Sequence, residues 1–106
     1  MSVQEFLKCS GILSGLAEFR EAENAVLLDV RTPQEYGEGH IPGSKNLPLQ
    51  RIGKAVSLVE NKATKLFVYC HCGERSGAAA AALSSMGYTD VKNIGGIAVY
   101  GGALAK

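Results

Sequence analysis

Two stretches of the chain are apolar without alternation. Ala25 to Val30 (AVLLDV) and Leu66 to Cys70 (LFVYC) are short runs rich in strand formers, the pattern of strands covered on both faces. Val91 to Ile94 reads as a third, shorter strand. Between these runs, apolar positions recur at helical spacing: Leu49, Ile52, Val56 and Val59, then Ala79, Ala82, Leu83 and Met86, then Ile97, Tyr100 and Leu104. A shorter helix is predicted over Gly15 to Glu23, with Ser14 as its cap. Apolar strands alternating with amphipathic helices predict an α/β fold, a parallel sheet with helices on both faces. Such sheets bind ligands outside the carboxyl ends of their strands.

Length and composition narrow what this fold can do. The 106 residues contain no internal repeat, low-complexity tract or long linker, so one domain spanning residues 1–106 is expected. With 46% hydrophobic and 20% charged residues the chain has the composition of an ordinary soluble globular protein, which argues against disorder. A net charge of +1 gives no electrostatic reason to expect nucleic acid or an anionic membrane as partner, so a charged substrate has to be held locally. No run approaches the ~18 apolar residues of a membrane span. The first segment sets Glu5 and Lys8 among its apolar residues, so no secretory signal is expected either. The cysteine count of three is odd, and the chain is large enough to build a core without covalent links. No disulfide framework is therefore expected, and a reducing cytoplasm is the expected compartment.

Cys70 closes the second apolar run, and a helix follows from near Ser76, so "YCHCGERSG" (Tyr69 to Gly77) is a strand, loop and helix start. A thiol at that point faces backbone N–H groups and the positive end of a helix, surroundings that favour the nucleophilic thiolate. Gly73 lets the loop turn through conformations closed to other residues. Arg75 adds a planar charge suited to an oxyanion such as sulfonate, sulfate or phosphate. Other chemistries fit the spacing less well. A structural zinc site needs about four ligands, and beyond Cys70, His71 and Cys72 only Cys9 and His40 are candidates. A thioredoxin-like centre uses C-x-x-C where this loop has C-x-C. Tyrosine-phosphatase loops read H-C-x5-R, whereas only two residues separate Cys72 from Arg75. Buried free cysteines are common as plain packing residues, and that reading is retained for Cys9 and weighed evenly for Cys72.

The chain resembles the single-domain rhodanese family of sulfurtransferases in three stretches: "LLDVRTPQEYGEGHIPGSKNLPL" from Leu27, "VYCHCGERS" from Val68 and "MGYTDVKNIGGIAVY" from Met86. The resemblance implies a rhodanese-like α/β domain with a central, mostly parallel sheet. It implies that Cys70 is the catalytic residue, taking a sulfane sulfur as a persulfide from a small sulfur-containing anion such as thiosulfate. His71, Cys72, Gly73, Glu74 and Arg75 would then bind substrate, with cyanide, a thiol or a protein as sulfur acceptor. No metal or organic cofactor is implied. The loop from Cys70 to Arg75 has six residues, the length that suits sulfur substrates, while the related dual-specificity phosphatases carry one residue more. Departures are Cys72, where a small polar residue is common, Glu74, whose charge opposes a thiolate unless it faces solvent or pairs with Arg75, and Tyr100 at a position often held by Trp.

Elsewhere the polar residues are read as structural. Asp29 and Arg31 leave a strand end and are expected to tie down backbone or to form an ion pair with a residue such as Glu35. His40 lies between a glycine and an X-Pro turn and is expected to fix that loop. "GEGHIPG" lacks the G-K-[ST] of a phosphate loop. Gly95 and Gly96 are expected to make a tight turn into a last helix that Gly101 and Gly102 weaken. Three functions compete: a sulfurtransferase, a partner-docking sulfur-relay or binding module, and a small phosphatase or arsenate reductase. A thiol at Cys72 would add one more possibility, a bond to Cys70 under oxidation.

Overall fold

The computed structural model describes residues 3–4 and 11–106. Among the described residues the sheet has four strands, β1 (Val26–Asp29), β2 (Ser44–Asn46), β3 (Leu66–Cys70) and β4 (Val91–Gly96), in the order β2-β1-β3-β4 with every neighbouring pair parallel. The helices are α1 (Ile12–Glu21), α2 (Pro33–Glu38), α3 (Ala55–Leu58) and α4 (Glu74–Ser85), joined by 3-10 turns over Leu49–Lys54 and Ile97–Val99. Among the described residues no helix is long and apolar enough to cross a membrane.

The continuous apolar run of β3 serves two cores. Successive strand side chains point to opposite faces. Leu66, Val68 and Cys70 accordingly join Leu28, Val30, Ala55, Ala79 and Leu83 beneath α3 and α4. Phe67 and Tyr69 join Leu27, Ile12, Leu16, Ile41 and Ile94 beneath α1. All five β3 residues are buried, as two-sided cover requires. Helix α1 lies close on β4 because Gly15 has no side chain: a Cβ there would stand 2.3 Å from the Ile94 side chain. Helices on both faces of a parallel sheet are the predicted architecture.

Individual elements differ from expectation where apolar spacing misleads. Helix α1 begins at Ile12 and ends at Glu21, and Ser14 sits inside its first turn, donating back to the Gly11 carbonyl at 3.2 Å instead of capping. The pattern from Leu49 to Val59 is a 3-10 turn followed by one turn of α-helix, with a kink at Arg51. The last expected helix is only the turn Ile97–Val99. Gly101 takes φ +70° and the chain runs back, so that Ala105 and His40 exchange backbone hydrogen bonds of 2.9 and 2.8 Å. Helix α2 and strand β2 escape a hydrophobic reading because α2 buries none of its residues and β2 is three residues long. Helix α2 is specified by polar chemistry: Thr32 and Glu35 form a reciprocal capping box, with Pro33 opening the first turn.

At the carboxyl end of β1 the buried Asp29 accepts four hydrogen bonds from Arg31, one from its N–H and three from its guanidinium, at 2.7–3.1 Å. Arg31 also donates to the Gly39 carbonyl at 2.7 Å, joining the sheet to the loop after α2. Both residues are structural, as read from the sequence, but they pair with each other and not with Glu35. His40 is also engaged in the fold, its ring stacked on Tyr36 and its Nδ1 at 2.9 Å from the Tyr36 carbonyl. Removing one member of a buried pair strands the other charge. Asp29→Ala is expected to lower unfolding free energy by about 3–5 kcal/mol in urea titrations; a loss below about 1 kcal/mol would show that the pair does not hold this end of the sheet.

Candidate active site

Strand parity decides where the sulfur goes. Cys70, two and four residues beyond Val68 and Leu66, points to the α4 side of the sheet, and α4 starts four residues later. The chain must reverse within that distance. Gly73 does so with φ +99°, a left-handed conformation that side chains disfavour, and becomes the residue from which α4 springs. The first N–H groups of a helix have no partner inside it. The sulfur occupies that position: the Gly73 N–H donates to Cys70 Sγ at 2.9 Å and the buried Ser76 hydroxyl lies at 3.4 Å.

Cys70 is a free thiol, 1% exposed. Burial pushes it up, whereas the Ser76 hydroxyl and the N–H groups of Ser76, Gly73 and Cys72 pull it down. The donors win, and the thiol ionises below its ordinary value. The loop is held from the other side by the end of β4. Ala98 N–H donates to the His71 carbonyl at 3.0 Å, and a Cβ on Gly96 would stand 2.1 Å from that carbonyl oxygen. Gly96 is thus required for close approach. The expected role for Gly95 and Gly96 as a turn into a helix is replaced: both belong to β4, where Gly95 takes φ +101°.

His71, Cys72, Glu74 and Arg75 line, with Cys70, a hollow of about 270 Å³. That is below the ~300–1,000 Å³ of pockets for drug-sized ligands and suits a small ligand. Gly73 is buried beneath it. His71 and Glu74 are exposed at the rim. Arg75 reaches across to α2, donating to both oxygens of Glu35 at 2.7 and 3.0 Å. Glu35, expected beside Asp29 and Arg31, is therefore the partner of the loop arginine. It occupies two of the five N–H donors of a guanidinium. Cys72 is in a disulfide bond. This departs from the expectation of a chain without disulfides; Cys70 is a free thiol, so the Cys70–Cys72 bond raised as a possibility under oxidation is not formed, and Cys9 lies outside the described residues. No group of three or more His, Cys, Asp or Glu among the described residues could hold a metal ion.

Sequence reasoning missed Ser76 and Glu35 as parts of the site. Ser76 carries a local signal, a hydroxyl in the first turn of the helix that follows a strand-end thiol. Glu35 carries none, since its capping motif accounts for it fully and Arg75 is 40 residues away. Tyr100 packs against the α1-side core, a packing role as read from the sequence.

The Arg75 guanidinium, with the Thr32 contacts, holds the Glu35 carboxyl at about 2, below its ordinary 4.5. A carboxyl depressed on folding adds stability that is complete above its unfolded value and is lost as pH falls through its folded value. Both side chains are about a third exposed, so the contribution is below about 1 kcal/mol. In urea titrations the stability gap between wild type and Glu35→Gln should be constant above pH 5 and close between about 4.5 and 2. A gap independent of pH would show that the ion pair contributes nothing.

Comparison with known proteins bears on this geometry. Residues 13–102 match the family described as rhodanese-like domain. The chain is 41% identical over 71 residues to thiosulfate sulfurtransferase PspE of Escherichia coli K12, covering 66% of this chain and 68% of that protein. It is 35% identical over 79 residues to thiosulfate sulfurtransferase GlpE of Pseudomonas putida, covering 74% of this chain and 71% of that one. A solved structure described as a rhodanese with anions from E. coli superposes with a TM-score of 0.72 at 36% identity, over 77% of this chain and 98% of the other. On the family match, the identity to these relatives and the shared architecture, the chain belongs to the rhodanese-like domain family.

Proposed function

We propose that the chain is a single-domain sulfurtransferase that moves a sulfane sulfur through a persulfide on Cys70, with His71, Cys72, Gly73, Glu74 and Arg75 as the substrate-binding loop. The observation that carries this reading is the environment of the sulfur: a free, buried thiol, ionising below its ordinary value, beside the donors of a loop and a helix start. The curated relatives named above as thiosulfate sulfurtransferases support the substrate class.

In the first half-reaction the Cys70 thiolate attacks the outer sulfur of thiosulfate. The S–S bond breaks, sulfite leaves with its electron pair, and Cys70 carries a terminal, negatively charged sulfur. In the second half, cyanide or a thiolate attacks that terminal sulfur and the Cys70 thiolate leaves, yielding thiocyanate or a new persulfide. The loop N–H groups stabilise the negative sulfur in both states. Arg75, held by Glu35, keeps positive charge at the mouth for an anionic donor. Both steps use the chain's own sulfur and require no cofactor. Two half-reactions sharing one covalent intermediate give ping-pong kinetics.

Mass spectrometry after thiosulfate treatment is expected to find one added sulfur on Cys70. Cys70→Ser should abolish that addition and lower thiosulfate-to-cyanide transfer on the order of a thousandfold or more. A variant that keeps full activity, or sulfur loaded at another residue, would overturn the assignment.

A further inference from the structure

Asn93 lies on the edge strand β4 and does not touch the sulfur, yet its amide meets two residues that do. The β3–β4 register runs evenly to Val68 and Asn93, then resumes at Tyr69 and Gly95, leaving Ile94 as an extra residue. Bulges of this kind re-aim side chains and are common beside active sites. Ile94 drops into the core under α1, and Asn93 turns to the start of α4. Asn93 Nδ2 packs against Gly77, where a Cβ would stand 3.4 Å away, an ordinary contact.

The hydrogen bonds fix which end of the amide faces which partner. The Gly95 N–H can only donate, and it lies 3.1 Å from Asn93 Oδ1. The Nδ2 end then donates to the Gly73 carbonyl at 3.1 Å, as a carbonyl requires. Oδ1 also lies 2.7 Å from Ser76 Oγ and has no proton to give, so Ser76 is the donor. A hydroxyl has one proton. For that proton Ser76 has Asn93 Oδ1 at 2.7 Å, Cys70 Sγ at 3.4 Å and the Gly95 carbonyl at 3.5 Å.

The geometry points to a competition: Asn93 Oδ1 and the Cys70 sulfur contend for the single hydroxyl proton of Ser76, and Asn93 is a positioning residue that governs how much of that proton the sulfur receives. With Cys70 protonated, the hydroxyl donates to Asn93 and its lone pair can accept from the S–H. When Cys70 is ionised, the hydroxyl turns to the sulfur and gives up its bond to Asn93. Asn93 therefore holds the thiolate back. The second Asn93 contact, to Gly73, matters less, because the Gly73 carbonyl already accepts from the Gly77 N–H at 3.0 Å.

This inference rests on Cys70 being the reacting thiol, but its test needs no sulfur transfer. The rate of iodoacetamide alkylation at Cys70, located by mass spectrometry, is followed against pH in the full chain. Asn93→Leu removes the competing acceptor, so the alkylation midpoint should fall and the rate below the midpoint should rise about threefold. Asn93→Asp offers a stronger acceptor, so the midpoint should rise and that rate should drop by at least about as much. Both shifts should shrink in a Ser76→Ala background, whereas a direct effect of the aspartate charge would persist there. The other titratable and charged groups near the sulfur are unchanged in every variant: Arg75 and Glu74 on α4, Glu35 on α2, His71 in the loop and the Asp29–Arg31 pair at the end of β1. Asn93 is exposed, and thermal melts verify that each variant is folded. Shifts of the same sign in the two variants, or shifts undiminished without Ser76, would overturn the proposal.

Discussion

In the proposed role of Cys70, a sulfur that carries negative charge lies almost out of contact with water, at the floor of a small hollow. Cys70 is buried at the end of the central strand, and burying an anion without compensating donors is among the costlier acts in protein chemistry. The donors must come from the chain itself, within a few residues. A strand running straight into a helix supplies them, because the first turn of the helix has unpaired N–H groups. The other local features follow from that requirement. Gly73 takes a left-handed conformation so that the chain can reverse in time, and Gly96 has no side chain so that β4 can press the loop into place.

Charge around the sulfur is arranged in closed pairs. Asp29 and Arg31 neutralise each other in the buried end of β1, while Arg75 is tied to Glu35 at the rim of the hollow. These pairs differ in purpose because they differ in burial. The first joins sheet and loop through the Arg31 bonds to Asp29 and to the Gly39 carbonyl. The second is partly exposed, and a guanidinium bound to one carboxylate keeps further N–H donors, which the proposed function assigns to an incoming oxyanion. Exposed pairs of this kind add little to stability, and on the proposed function Glu35 serves to hold Arg75 at the mouth.

The parts of this arrangement that are local in sequence were legible before the structure. Strands β1 and β3, the α4 helix and the Cys70 loop each carry a pattern within a dozen residues: an apolar run, a helical period, a glycine and an arginine after a cysteine. What could not be read depends on residues that meet only in the folded chain. Glu35 meets Arg75 across 40 positions, and Asn93 meets Ser76 across 17. The C-terminal helix was misread because Ile97, Tyr100 and Leu104 keep a helical period that Gly101 and Gly102 interrupt, a case of periodicity outweighed by backbone preference. Helix α2 was missed for the opposite reason, since it is specified by its cap and buries nothing.

A sulfur carrier makes a demand on its thiol that a simple nucleophile does not. The same sulfur must attack in one half-reaction and depart in the other. Stabilising the thiolate helps departure but weakens attack, because nucleophilicity falls as the thiol becomes more acidic. Donors at full strength around Cys70 would favour one half at the expense of the other. In this protein burial opposes the donors, and one donor, Ser76, has a better-placed acceptor than the sulfur. The thiol still ionises below its ordinary value, with burial working against the donors. On the proposed mechanism, a buried thiol with partly committed donors suits a group that must both take a sulfur and release it.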